Sequence, residues 1–129
     1  MFEDHNKEWT LNYFQDKVKE NTFYQKITFE NVHGDGNKED ISFLYFLIGL
    51  SEECGEMMGW AKKFIRDKAC KFDDKDKEKI IGEIGDIQWY CNNFLNCFGI
   101  TMDDVAKYND KKLKDRHTRG VIRGSGDNR

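Results

Sequence analysis

The sequence predicts an all-α protein, a four-helix bundle whose core is completed by oligomerisation. Three observations point there. Four segments carry apolar residues at the helical period. The 129 residues contain no proline to interrupt them. No segment alternates apolar and polar residues as a half-buried strand would. The length suits a single domain over residues 1–129.

The first predicted helix runs from about Thr10 to Glu20, with Leu11, Phe14 and Val18 on one face. A polar stretch follows, and its cluster His33-Gly34-Asp35-Gly36-Asn37 reads as loop. The second helix runs from about Ser42 to Asp67. Its apolar stripe is Phe43, Leu47, Leu50, Cys54, Met57, Ala61 and Phe64. A break falls around Ala69 to Phe72. Asp73 or Asp74 caps the third helix, and Asp76 and Glu78 suit the positive end of its dipole. Ile80, Ile84, Ile87, Cys91, Leu95 and Phe98 form its stripe, and Gly99 ends it. Thr101 caps a fourth helix, with Asp104 three residues on as a variant capping box. That helix runs to about Arg116, with Met102, Val105 and Leu113 inward.

Composition limits the core. Apolar residues make up 38% of the chain and charged residues 35%, so ten Phe, five Tyr and three Trp must supply most of the buried volume. A helical chain this polar completes its core by pairing with copies of itself. No run of 18 apolar residues is present to span a membrane. The N-terminal MFEDHNKEWT lacks the basic-then-apolar pattern of a signal peptide, so a cytoplasmic protein is expected. Cys54, Cys70, Cys91 and Cys97 form no CxxC pair and read as reduced core cysteines. His5, His33 and His117 have no partners that suggest a role.

Charge is unevenly spread. Residues 107–129 hold eight Lys/Arg against three Asp, a net of +5; the other 106 hold thirteen against twenty-one, a net of −8. An acidic body with a basic end suits a polyanionic, metal-bound ligand. It equally suits a helical module that touches nucleic acid or a partner through the basic segment. Against that alternative, Tyr108 is the only aromatic in the segment, and no nucleic-acid-binding motif is present.

The acids carry the chemistry. With Leu50 at zero on a helical wheel, Glu53 falls at about −60° and Glu56 at about −120°, on the shoulder of the stripe. Glu52 points outward. The third helix repeats the arrangement, with Glu83 at about −100° and Asp86 at about −160° from Ile84. The pattern is Glu53-x-x-Glu56, twenty-six intervening residues, then Glu83-x-x-Asp86. In an antiparallel hairpin four carboxylates converge and need a counter-charge. Hard divalent cations, Mg²⁺ or Mn²⁺ in its place, fit oxygen ligands. No histidine stands in either motif, which argues against zinc and against a ferritin-like di-iron site. Mg²⁺ on carboxylates usually completes its shell with water and substrate phosphates, so a phosphate-bearing substrate is expected. Gly55 and Gly85 sit within the acid pairs, and Gly59 and Gly82 flank them. Each costs helix propensity, so each is read as room for metal and phosphates.

GLSEECGE, EIGDIQWY and NDKKLKDR, followed by RGVIRGSGDNR, resemble the MazG-like all-α nucleoside triphosphate pyrophosphohydrolases. The closing GSGDNR looks most like the short, single-domain members carried by bacteriophages. The resemblance spans about Leu11 to the C-terminus and is weakest across 25–41. It implies hydrolysis of a (d)NTP between the α and β phosphates, giving a (d)NMP and pyrophosphate. It implies Glu53, Glu56, Glu83 and Asp86 as Mg²⁺ ligands, and Asn109 and Lys112 near the substrate. It implies a homodimer or homotetramer with sites near subunit contacts. It leaves base preference open.

Roles follow. Glu53 or Glu56 serves as the base for water, and the sequence does not separate them. Lys112 is the expected cationic partner of the phosphates, with Arg116 one turn on; a solvated helix-end charge is the alternative for both. Asn109 falls between Val105 and Leu113 and is expected inward, bonded to substrate or to a neighbouring helix. Tyr90 and Trp60 are candidates for base or ribose contact, or are ordinary packing. The tail over 117–129 is either an anion-binding flap or a loose end.

Overall fold

In the computed structural model, residues 8–22, 26–28, 31, 34, 36, 39–121 and 123 are described. Four long helices organise them: α1 (Leu11–Glu20), α2 (Ser42–Lys68), α3 (Asp74–Asn96) and α4 (Met102–Thr118). Among the described residues there is no strand, only an isolated bridge between Thr28 and Asp40. The class is all-α, as the sequence predicts.

Local signals set the helix ends. Thr10 Oγ1 accepts from the Tyr13 amide and caps α1. Asp73 and Asp76 form a capping box on α3, and Thr101 and Asp104 another on α4. Gly99, with φ +65°, lets the chain turn between them. α2 ends differently. Ala69 (φ +48°) and Cys70 (φ +60°) both take left-handed backbone without being glycine. Ion pairs hold that turn: Lys68 Nζ lies 2.8 Å from Asp73 and 2.7 Å from Asp76. Trp60 Nε1 donates to the other oxygen of Asp76 at 3.2 Å.

α2 and α3 form an antiparallel hairpin, the main packing unit. Phe46 meets Trp89 near one end, Gly49 lies under the Tyr90 ring, and Trp60 meets Asp76 near the turn. The α2 residues on this seam, Phe46, Gly49, Glu53, Glu56 and Trp60, step by three and four, the spacing of two helices crossing at a shallow angle. Glu53 and Glu83 therefore lie in the seam, with Glu56 and Asp86 exposed at its edge.

The stripe is only partly covered. Leu47, Ile84 and Phe98 are exposed, as are Leu11, Val105 and Leu113, all expected inward. Among the described residues, the buried apolar ones are Val18, Ile41 and Phe46. Within one chain, α1 and α4 do not enclose both faces of the α2–α3 hairpin. α1 crosses α3 and the start of α4. Gln15 stitches that junction: its amide nitrogen donates to Asn96 and to the Ile100 carbonyl, and its oxygen accepts from the Met102 amide. The cysteines are free, and Cys54, Cys70 and Cys97 are exposed rather than in the core. Cys91 is half-buried, and burial pushes its thiol up.

Candidate functional site

The hairpin seam brings Glu53, Glu56 and Glu83 together. One carboxylate oxygen from each lies within 4.8 Å of the others. Steps of three and four put Glu53 and Glu56 on the side of α2 that faces α3, and the antiparallel register sets Glu83 opposite them. Glu83 is buried, at 4% exposed. One of its oxygens pairs with Lys79, one turn earlier on α3. Its Oε2 is buried without a hydrogen-bond partner. A buried carboxylate oxygen without a donor is costly and wants a cation.

Electrostatics tie the fourth acid in. Glu53 is half-buried, and its carboxyl is pushed above the ordinary value, first by burial and then by Asp86, Glu56, Glu83 and Glu52. Asp86 is exposed on the rim. Lys79 is held above its ordinary pKa by its bond to Glu83, and the fields of Glu56 and Asp86 add to this. The donor set is carboxylate oxygen alone, with no histidine or cysteine in the cluster. Such ligands fit a hard divalent cation of the Mg²⁺ or Mn²⁺ type.

The glycines divide into two kinds. A Cβ on Gly55, Gly59, Gly82 or Gly85 would meet nothing within 4 Å, so the space beside the acids is open. A Cβ on Gly49 would fall 2.1 Å from the Tyr90 ring. Tyr90 thus packs down onto α2, with Trp89 edge-on at 5.0 Å. Trp60 stacks on Phe64 at 5.2 Å and holds Asp76, which makes it part of the turn.

The α4 candidates lie elsewhere in the chain, since α4 docks on α1. Asn109 is exposed, not inward. Lys112 Nζ lies 6.0 Å from the Tyr108 ring centre, and both residues line a groove of ≈ 440 Å³ with Ile100 and Val105. Arg116 is buried, at 7% exposed, which is not a solvated helix-end charge. In the tail, Arg119 pairs with Asp115 at 2.8 Å. Residues 122 and 124–129, most of the expected flap, lie outside the described residues.

Two features escaped the sequence reading. The first is Lys79, whose i, i+4 spacing to Glu83 was the available signal. The second is a cavity of ≈ 420 Å³ lined by Thr22, Ser42, Tyr45, Asn93 and Asn96 among others. Its signal was the run of amides, Asn92, Asn93 and Asn96, at the end of α3. Asn93 stands two turns beyond Asp86, about 10 Å along the axis. Tyr45 and Tyr90, 6.5 Å apart, lie between cavity and carboxylates.

Comparison with known proteins agrees with this geometry. The family model described as the MazG nucleotide pyrophosphohydrolase domain matches residues 42–121, which contain all four acids, Asn109, Lys112 and Arg116. The Gene 37 protein of Mycobacterium phage L5 is 37% identical over 97 residues, covering 74% of this chain and 85% of that protein. No solved structure matches. No helix among the described residues is long and apolar enough to cross a membrane. The paired acids, their placement across one helical hairpin and the extent of the match establish that the chain belongs to the MazG nucleotide pyrophosphohydrolase family.

Proposed function

We propose that the protein, acting as a single domain, is a divalent-metal-dependent pyrophosphohydrolase that cleaves a (d)NTP to a (d)NMP and pyrophosphate. It would thereby adjust or clean a nucleotide pool. The observation that carries the reading is the convergence of Glu53, Glu56 and Glu83 around a buried, unpartnered oxygen of Glu83.

Glu53, Glu56, Glu83 and Asp86 would hold Mg²⁺, or Mn²⁺ in its place. When bound, the metal supplies charge neutralisation for the phosphates. Glu53 or Glu56 takes the proton of the attacking water. Burial and the neighbouring acids raise the Glu53 carboxyl above its ordinary value, which favours it as the proton acceptor. Gly55 and Gly85 leave room for phosphates beside the acids. The cavity past Tyr90 lies at a reach that suits the nucleoside end of the substrate.

The exposed apolar faces support a homodimer or homotetramer. Ile48, Met58, Ile65 and Ile81 are each at least 64% exposed on the hairpin. Assembly would also carry Lys112 and Asn109 of one copy toward the acids of another. The phage relative supports a phage-encoded protein working in the host cytoplasm.

The test is pyrophosphate release from a panel of (d)NTPs with Mg²⁺ or Mn²⁺. Release by the wild type and its loss in Glu53→Gln are expected. No release from any nucleotide would overturn the reading.

A further inference from the structure

Lys79 is unusually placed for a surface lysine. It stands one turn before Glu83 on α3, half-exposed itself and paired with a carboxylate that is 4% exposed. The order Lys then Glu is the weaker one for helix stability, so propensity does not account for the pair. Glu56 and Asp86 also act on the same ammonium. Lys79 therefore faces the carboxylate cluster, and it occupies one of the two oxygens of its most buried member. The other oxygen, Oε2, has no partner.

We propose that Lys79 is a built-in counter-ion of the cluster that competes with a divalent cation for Glu83. This rests on the reading of the cluster as a metal site. A divalent cation held by Glu83 with Glu53 and Glu56 would compete with the ammonium for the Glu83 charge. Two cations held at one carboxylate repel each other, so each weakens the hold of the other. Lys79 thus lowers intrinsic metal affinity and spares the metal-free fold four uncompensated carboxylates. Its release leaves an ammonium one turn toward the α2–α3 connection. That is the end opposite Tyr90 and the cavity, where the departing phosphates of a bound triphosphate would lie if its nucleoside points to the cavity.

The experiment is a Mn²⁺ titration of the full chain by calorimetry and by the metal-induced rise in melting temperature, without nucleotide. Lys79→Met is expected to bind Mn²⁺ up to roughly fivefold more tightly than wild type, the range for giving up a half-exposed ion pair. Its metal-free melting temperature should fall while the metal-induced increment grows. Lys79→Gln, which keeps a donor without the charge, should also tighten binding, and it serves where the Met variant folds poorly. Lys79→Arg should behave as wild type. Equal or weaker binding in Lys79→Met and Lys79→Gln, with wild type binding normally, would overturn the counter-ion role and leave the metal reading intact. No Mn²⁺ binding by the wild type would overturn both.

Discussion

The ring of Tyr90 fills the place where a side chain on Gly49 would stand, with its Cε1 only 2.1 Å from that Cβ position. Glycine at 49 is thus set by the closeness of α2 and α3. Tyr90 is also braced by Trp89 and Tyr45 and has no easy retreat. Gly49→Ala should lose about 1–3 kcal/mol to overpacking, more than the roughly 1 kcal/mol that alanine returns in helix propensity. Chemical denaturation checks this.

Gly55 and Gly85 should behave in the opposite way. Nothing lies within 4 Å of a Cβ at either position. Alanine there should stabilise the metal-free protein by up to about 1 kcal/mol. If their openness serves the substrate, pyrophosphate release should fall in the same variants. Higher melting temperature with unchanged turnover would show that the acids do not use this room.

Asp76 should be a residue of the turn and not of the chemistry. Its buried carboxylate accepts from Trp60 Nε1, Lys68 Nζ and the Asp73 amide. Asp76→Ala leaves three donors wanting and should cost about 1–3 kcal/mol. Trp60→Phe keeps the stack on Phe64 and should cost less. Neither should change the apparent nucleotide affinity of the folded protein, read from the substrate dependence of pyrophosphate release. A large rise in KM for Trp60→Phe would return Trp60 to the substrate site.

The legible parts of this protein are local. Thr101 with Asp104, Asp73 with Asp76, and Gly99 act within one turn of chain, so the sequence displays them. The acid pairs were visible by spacing, and their convergence followed once a hairpin was assumed. The buried face was not visible. Period marks the most apolar stripe, but one chain buries the seam through Phe46, Gly49 and Glu53 and leaves Leu47 and Ile84 open. Asn92 shows the converse. It is 0% exposed, with its amide nitrogen bonded to the Gln88 carbonyl one turn back and its Oδ1 without a partner. Hydropathy carries no trace of such a bond. Nor can spacing tell that Glu83 is buried and Lys79 is not.

Acid should weaken the α2–α3 turn in a defined window. The bond from Lys68, then that from the Asp76 amide, hold Asp73 at about 2, below its ordinary 3.8. A depressed folded pKa contributes stability that is present above 3.8 and lost as pH falls toward about 2. Urea midpoints measured down through this range should drop for wild type. Lys68→Met should flatten that limb by removing the largest cause of the shift.

Glu53 carries the opposite sign. Its folded pKa is raised above 4.5 by burial and by the neighbouring acids, so its contribution to stability is present below 4.5 and lost as pH rises through the raised value. Once ionised, Glu53 is therefore held at a cost in the metal-free protein. Glu53→Gln removes that charge, and its metal-free melting temperature at pH 7 should exceed that of wild type. The same variant should lose most of the Mg²⁺-induced rise, because it has one ligand fewer. In wild type, proton and cation compete for Glu53, so the Mg²⁺-induced rise should shrink as pH falls through the raised pKa toward 4.5. A Glu53→Gln protein that melts lower than wild type without metal would mean that Glu53 serves packing, and that the acids at this seam are not strained by their company.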